Sequence, residues 1–110
     1  MPLYMLQASY SAEGVQGLLS KPHDRKNAVS KVIQAAGGSL KSLYYATGDY
    51  DVVMIIEMPD MKAVVSAIMA VAGSGSLGAW KTTPLMTSGE AAECMKTAGG
   101  LTGSYRPPGK

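Results

Sequence analysis

Phenylalanine is absent from this chain, and cysteine, histidine and tryptophan each occur once. A single cysteine cannot form an intramolecular disulfide, which excludes a disulfide-stapled fold and favours a reducing compartment. One histidine and one cysteine are too few for a typical zinc site, so we expect neither a metal nor a cofactor. No apolar run approaches the roughly 18 residues of a membrane span, and the start of the chain lacks signal-peptide features. We therefore expect a cytoplasmic protein that binds no membrane.

Charge is also scarce. The formal net charge is +2 over 110 residues, and basic residues are adjacent only at Arg25-Lys26. A nucleic-acid partner is therefore not expected. Hydrophobic residues make up 46% of the chain, enough for one globular domain with one core. Six tyrosines and eight methionines replace the missing phenylalanine, and both types are suited to interfaces and pockets as well as to cores.

The apolar periodicity predicts the order β-α-β-β-α-β, followed by a short C-terminal helix. Strands are expected over 2–10, 40–47, 50–58 and 77–86, with a tight turn at Gly48-Asp49 between the second and third. The first crossover contains two helical segments, the second of which should start near Pro22. This order predicts an α+β fold of the ferredoxin-like type, an antiparallel sheet with helices on one face. Residues 1–98 should form the domain and residues 99–110 a flexible tail.

Helix signals in the C-terminal third are equally specific. Thr87 and Glu90 have the spacing of a capping box, which predicts the start of the last helix. A pair of glycines at 99–100 should end that helix. Its apolar residues are expected to point inward: Ala91, Cys94, Met95 and Ala98.

The third strand is apolar on both faces, which is unusual for a sheet with one wet side. Its alternate residues Val52, Met54, Ile56 and Met58 form a wholly apolar set that should face the helices. The opposite face contains Asp51, Val53, Ile55 and Glu57. Leaving Val53 and Ile55 in water would create an adhesive patch. We therefore expect a homodimer or higher homo-oligomer in which two sheets pack face to face.

The residues YYATGDYDVVMIIEMPD resemble the GYD domain family, named for a Gly, Tyr and Asp signature found here within Gly48-Asp49-Tyr50-Asp51. SKPHDRKNAVSKVIQAAGGSLKS before this stretch and AWKTTPLMTSGEAAECMKTAG after it carry the resemblance across nearly all of residues 2–98. That family is similar to the dimeric α/β-barrel group of ferredoxin-like proteins. The resemblance implies this fold and a dimer, and it implies no general activity.

Eight residues are candidates for binding a ligand. Tyrosines on neighbouring strands could wall a pocket for a planar molecule, or they could simply pack across the sheet. Tyr44 belongs to the same cluster, and Trp80 could join it. His23 and Arg25 could supply an acid–base group and an anion-binding group, or lie exposed in a first turn. The eight candidates are Tyr4, His23, Arg25, Tyr45, Asp49, Tyr50, Asp51 and Glu57.

The carboxylates also admit two interpretations. Asp49 could bind a ligand cation at the hairpin tip, or it could only shape the turn. Asp51 and Glu57 could bind a polar ligand or act as a general base. Alternatively, they could reach solvent or pair with Lys41 or Lys81.

No set of catalytic residues stands out, so three classes of function remain open. The two-sided apolar strand and the tyrosine cluster favour a small-molecule-binding or sensor domain that acts as a homo-oligomer, with its ligand near the sheet and the Gly48–Asp51 hairpin. The first alternative is a cofactor-independent oxygenase or isomerase of the dimeric α/β-barrel type, which is an analogy from fold. The second is a structural oligomerisation module.

Overall fold

The computed structural model describes residues 1–110. Its strands are β1 (Leu3–Tyr10), β2 (Ser39–Tyr45), β3 (Val52–Glu57) and β4 (Leu77–Leu85). Its helices are α1 (Ala12–Ser20), α2 (Lys26–Ala35), α3 (Met61–Ala72) and α4 (Ser88–Leu101), and a 3₁₀ turn, Thr102–Ser104, follows α4. The predicted order of elements is confirmed.

The four strands form one sheet in the order β2-β3-β1-β4, and every pairing is antiparallel. Each β-α-β crossover therefore skips a strand, as in the ferredoxin-like arrangement. The predicted α+β fold is confirmed. The register places Leu6 of β1 beside Met54 of β3 on one side and Thr82 of β4 on the other.

Side-chain caps explain where most helices begin. Ser11 caps α1 by accepting from the Gly14 N–H, and Asp60 caps α3 by accepting from the Ala63 N–H. Helix α2 begins at Lys26 rather than near Pro22, because the Asp24 carboxylate accepts from the Lys26 N–H and holds the preceding residues in a turn. It ends before Gly37, which adopts a positive φ of 92°.

The core lies between the sheet and the helices, near the C-terminal end of β3. Ile56, Met58 and Val64 are completely buried, and Tyr4 and Ile33 pack with them. Val52 is also buried, and Met54 packs against the cluster. The prediction that the wholly apolar set of β3 faces the helices is therefore confirmed.

The other face of the sheet carries no helix. Strand alternation puts Val53 and Ile55 on this open face, together with Leu3 and Met5 of the neighbouring β1. All four side chains are half-buried by their neighbours within the sheet. These four side chains form an apolar patch on the open face, with Gln7 of β1 and Glu57 of β3 at its borders.

Helix α4 projects away from the rest of the molecule. None of its residues is buried, Cys94 is exposed, and Met95 is 70% exposed. The molecule accordingly measures 61 × 32 × 21 Å. The predicted inward face, Ala91, Cys94, Met95 and Ala98, is wrong for the single chain, because none of these residues is buried there.

Thr87 and Glu90 form the predicted capping box at the start of α4. The Glu90 N–H donates to the Thr87 hydroxyl oxygen, and the Thr87 N–H donates to the Glu90 carboxylate. Those hydrogen bonds from Thr87 hold the pKa of the Glu90 carboxyl below its ordinary value. The helix continues through Gly99 and Gly100 to Leu101, so the predicted stop at the glycines is wrong. Neither glycine adopts the positive φ that would end the helix.

Two glycines of α1 make a matched test of how this helix docks. A Cβ on Gly14 would collide with the Ser76 carbonyl oxygen, whereas a Cβ on Gly17 would meet nothing within 4 Å. We expect Gly14→Ala to destabilise the fold by about 1–3 kcal/mol through overpacking. Gly17→Ala should stabilise it by about 0.5–1 kcal/mol through helix propensity. Urea unfolding of both variants measures the difference, and equal effects would contradict the close approach.

Candidate functional site

The loop between β2 and β3 occupies residues 46–51 and closes one end of the sheet. The Ala46 N–H donates to the Asp51 carbonyl, and the Asp51 N–H donates to the Ala8 carbonyl, at 2.8 and 3.0 Å. Gly48 does not adopt a positive φ. The predicted tight turn at Gly48-Asp49 is therefore wrong. Strand β2 ends at Tyr45 and β3 begins at Val52, so six residues connect the two strands.

A cavity of about 100 Å³ opens beside this end of the sheet, between its helix-covered face and helices α2 and α3. Ala8 on the sheet and Ala28 on α2 both line it, and such short side chains leave space that larger ones would fill. Trp80 of β4, 48% exposed, provides a flat aromatic surface beside Ala8. Of the 18 lining residues, 14 are hydrophobic, which suits the cavity to an apolar molecule.

Two tyrosines stand at the cavity. Tyr10 is among the lining residues, and its hydroxyl oxygen lies 3.1 Å from that of Tyr45. The two rings stack with centroids 6.2 Å apart and planes inclined by 29°. Burial, then the bond to Tyr45, raises the pKa of Tyr10 to about 12, although nearby Arg25 acts in the opposite direction. At neutral pH Tyr10 is therefore a hydrogen-bonding hydroxyl and not a base.

Arg25 and His23 extend this polar edge. Arg25 lines the cavity, and its Nη1 lies 3.2 Å from His23 Nε2. A guanidinium can only donate, so Nε2 is the acceptor and the ring proton is on Nδ1. Nδ1 then donates to the Lys21 carbonyl at 2.6 Å. The hydrogen bond to His23 therefore fixes the orientation of the Arg25 guanidinium.

Of the predicted residues, the structure brings His23, Arg25 and Tyr45 together at one site, joined by Tyr10. Asp51 is adjacent, but its carboxylate already accepts a 3.0 Å bond from the Tyr10 backbone N–H. Asp49 is exposed, and its carbonyl oxygen lies 3.5 Å from the Ser9 hydroxyl. Tyr50 is half-buried within the loop.

Tyr4 and Glu57 lie elsewhere. Tyr4 is buried in the core beside Ile56, and Glu57 is at the other end of β3, about 10 Å along the strand from Met54, the nearest lining residue of that strand. The Glu57 carboxylate pairs with Lys41 at 2.9 Å, which holds its pKa below the ordinary value. This pairing is one of the alternatives predicted from the sequence.

The predicted four-tyrosine cluster is wrong. Tyr44 and Tyr45 are consecutive in β2 and so point to opposite faces, and Tyr44 is 66% exposed. The tyrosine that joins Tyr45 is Tyr10, which sequence reasoning missed. The pairing of Tyr10 with β4 is irregular, because the register shifts between Ser9 and Tyr10. Tyr10 nevertheless follows Leu6 and Ala8 at even spacing along β1, and this spacing could have predicted that it lies on the helix-covered face.

The environment of Tyr10 can be tested by an ultraviolet absorbance titration of the tyrosines. We expect one tyrosine to ionise near pH 12, after the others, and this late component should disappear in Tyr10→Phe but persist in the tail control Tyr105→Phe. Because the folded state holds the Tyr10 proton more tightly, the stability from this group is present below pH 10 and is lost as pH rises towards 12. A late component that survives in Tyr10→Phe would contradict the assignment.

The fold and cavity together define a small ferredoxin-like α+β protein with a mainly apolar pocket between its sheet and helices. A sequence model of the GYD domain matches residues 4–95, so the chain belongs to the GYD domain family. Comparison with curated proteins and with solved structures found no match. No three histidine, cysteine, aspartate or glutamate side chains come together in a way that could hold a metal ion. None of the helices combines the length and apolarity that crossing a bilayer requires.

Proposed function

We propose that this protein is a small-molecule-binding domain whose ligand occupies the cavity between the sheet and helices α2 and α3. The observation that carries the proposal is the combination of an apolar cavity with a few convergent polar groups: the stacked Tyr10–Tyr45 pair and Arg25. This combination is typical of ligand pockets, in which apolar walls supply affinity and a few polar groups fix orientation.

The high pKa of Tyr10 favours binding over acid–base chemistry. A group that ionises near pH 12 stays protonated at neutral pH and can donate or accept a hydrogen bond. A general base would instead need a pKa near the working pH.

The domain acts as a homodimer whose two open sheet faces pack together. Val53 and Ile55, with Leu3 and Met5 beside them, supply the apolar centre of that interface. All four are half-buried in the single chain, so pairing adds for each only part of the about 1.5–3 kcal/mol that fully burying such a side chain supplies; together, the four on each of two copies oppose the cost of association. The cavity lies on the opposite, helix-covered side of the sheet, so such pairing leaves it open to ligand.

A cavity-filling variant tests the binding function. We expect Ala28→Phe to occupy the cavity and remove the thermal stabilisation that wild-type protein gains from a panel of small aromatic and branched-chain metabolites. Ala35→Phe is the matched control, because Ala35 is on the same helix but exposed and outside the cavity lining. Stabilisation retained in Ala28→Phe, or no stabilisation of the wild type by any compound, would contradict the proposal.

A further inference from the structure

Arg25 has no acidic partner. The single ion pair of the structure joins Lys41 to Glu57, remote from the cavity. Asp24, the neighbouring carboxylate, accepts from the Lys26 N–H, and Asp51 accepts from the Tyr10 N–H. The half-buried guanidinium is therefore held by a neutral histidine, beside apolar surface and without a counter-ion.

The charge of the cavity lining has one sign. Arg25 is the one charged lining residue whose side chain is on the helix-covered side. Lys81 and Gln7 are paired in the β1–β4 register and alternate with Trp80 and Ala8, so they point to the open face. A partly desolvated cation that faces an apolar cavity is stabilised most by an anion, and a guanidinium binds a carboxylate through two parallel hydrogen bonds. Arg25 also precedes the first turn of α2, which carries no acidic residue, so the helix dipole adds to the positive potential there.

The dimensions limit the apolar part of the ligand. An apolar cavity of about 150 Å³ can bind benzene, and this one, at about 100 Å³, opens to solvent at one side. Trp80 and the stacked Tyr10 offer flat surfaces against which a ring can lie. The enclosed space is smaller than the cavity that binds benzene, so a single ring fills it and extends into the open side, where its substituent lies.

Building on the proposed binding function, we infer that the cavity selects a small aromatic monocarboxylate, with the ring against Trp80 and Tyr10 and the carboxylate on the Arg25 guanidinium. The carboxylate replaces the water that otherwise solvates Arg25, and one hydroxyl of the Tyr10–Tyr45 pair can donate to it while the other donates within the pair. A neutral analogue lacks the charge-assisted bonds, and a cationic analogue is repelled by Arg25.

Three ring compounds of similar shape and different charge test this inference: benzoate, benzamide and benzylamine. Binding is measured by nuclear magnetic resonance titration of the 110-residue protein at low ionic strength. We expect benzoate to bind at least tenfold more tightly than benzamide, and benzylamine to bind most weakly. Arg25→Gln should weaken benzoate binding at least tenfold and benzamide binding to a smaller extent, so that the preference for benzoate is lost. The control Lys26→Gln removes the same charge from an exposed neighbour and should retain the preference for benzoate.

The outcomes separate the two proposals. If benzamide binds as tightly as benzoate, or if Arg25→Gln does not affect benzoate, the preference for an anion is wrong while the binding cavity stands. If none of the three compounds shifts resonances of cavity residues, both the ligand class and the cavity as its binding site are wrong. If Lys26→Gln loses as much benzoate binding as Arg25→Gln, the preference for benzoate comes from general electrostatic attraction. That result would also overturn the role of Arg25.

Discussion

Replacing Ile56 by alanine should cost about 4 kcal/mol of the free energy of unfolding. Ile56 has no exposed surface and contributes to the core near the C-terminal end of β3, where Tyr4 lies directly opposite on β1. Truncating such a side chain removes its transfer free energy and leaves a cavity that the sheet, fixed by hydrogen bonds, cannot close. Urea unfolding, followed by circular dichroism, measures the loss.

The adjacent Ile55 supplies the control, since it is the same residue type on the opposite face of the same strand. In the isolated chain, Ile55→Ala should cost only about 1 kcal/mol, because this side chain is half-buried. A loss below about 1 kcal/mol for Ile56→Ala would contradict the assignment of this face to the core. The Ile56→Ala loss should be independent of protein concentration, whereas the proposed dimer makes the Ile55→Ala loss grow with concentration.

Introducing a charge at Ile55 should separate the proposed dimer into single chains. Ile55→Lys places an ammonium at the centre of the open sheet face, and the two-fold symmetry of a homodimer brings two such charges into one interface. Burying an unpaired charge there costs far more than the lost apolar contact. Light scattering after size-exclusion chromatography should give twice the 11.4 kDa chain mass for the wild type and the single-chain mass for the variant.

Met69→Lys is the matched control for this substitution. Met69 is 66% exposed on α3, which covers the other side of the sheet, so the same change of charge should leave the mass unchanged. A wild type that elutes as a single chain at micromolar concentration would contradict the dimer, and so would an Ile55→Lys variant that keeps the doubled mass. Ligand binding in the cavity would not be affected by either result, because the cavity is on the helix-covered side.

The candidate site was predictable in part. Arg25 and His23 follow from their place before a helix, and Tyr45 follows from its strand, but nothing in the local pattern joins them. Their meeting depends on Tyr10, which is brought beside Tyr45 through β3, the strand that lies between β1 and β2. Strand order is a long-range property, so spacing along the chain could not select Tyr10 over Tyr4 or Tyr50.

The prediction for α4 fails for a related reason. A stripe of apolar residues indicates which side of a helix is apolar, but it does not say whether the same chain provides a surface to cover that side. Helices α2 and α3 already cover the sheet, and α4 extends beyond its end with Met95 in solvent. The periodicity was correct as a description of the helix and insufficient as a statement about packing.

The sequence alone determined the order of elements, the capping box at Thr87, and the side of β3 that meets the helices. These features depend on interactions within a few residues or on the period of two along a strand, both of which can be read directly from the chain. Only the tertiary structure decided where the cavity lies, which tyrosine stands beside Tyr45, and that Arg25 lacks an acidic partner. These depend on which distant segments become neighbours, because a pocket is the space that their side chains leave unfilled.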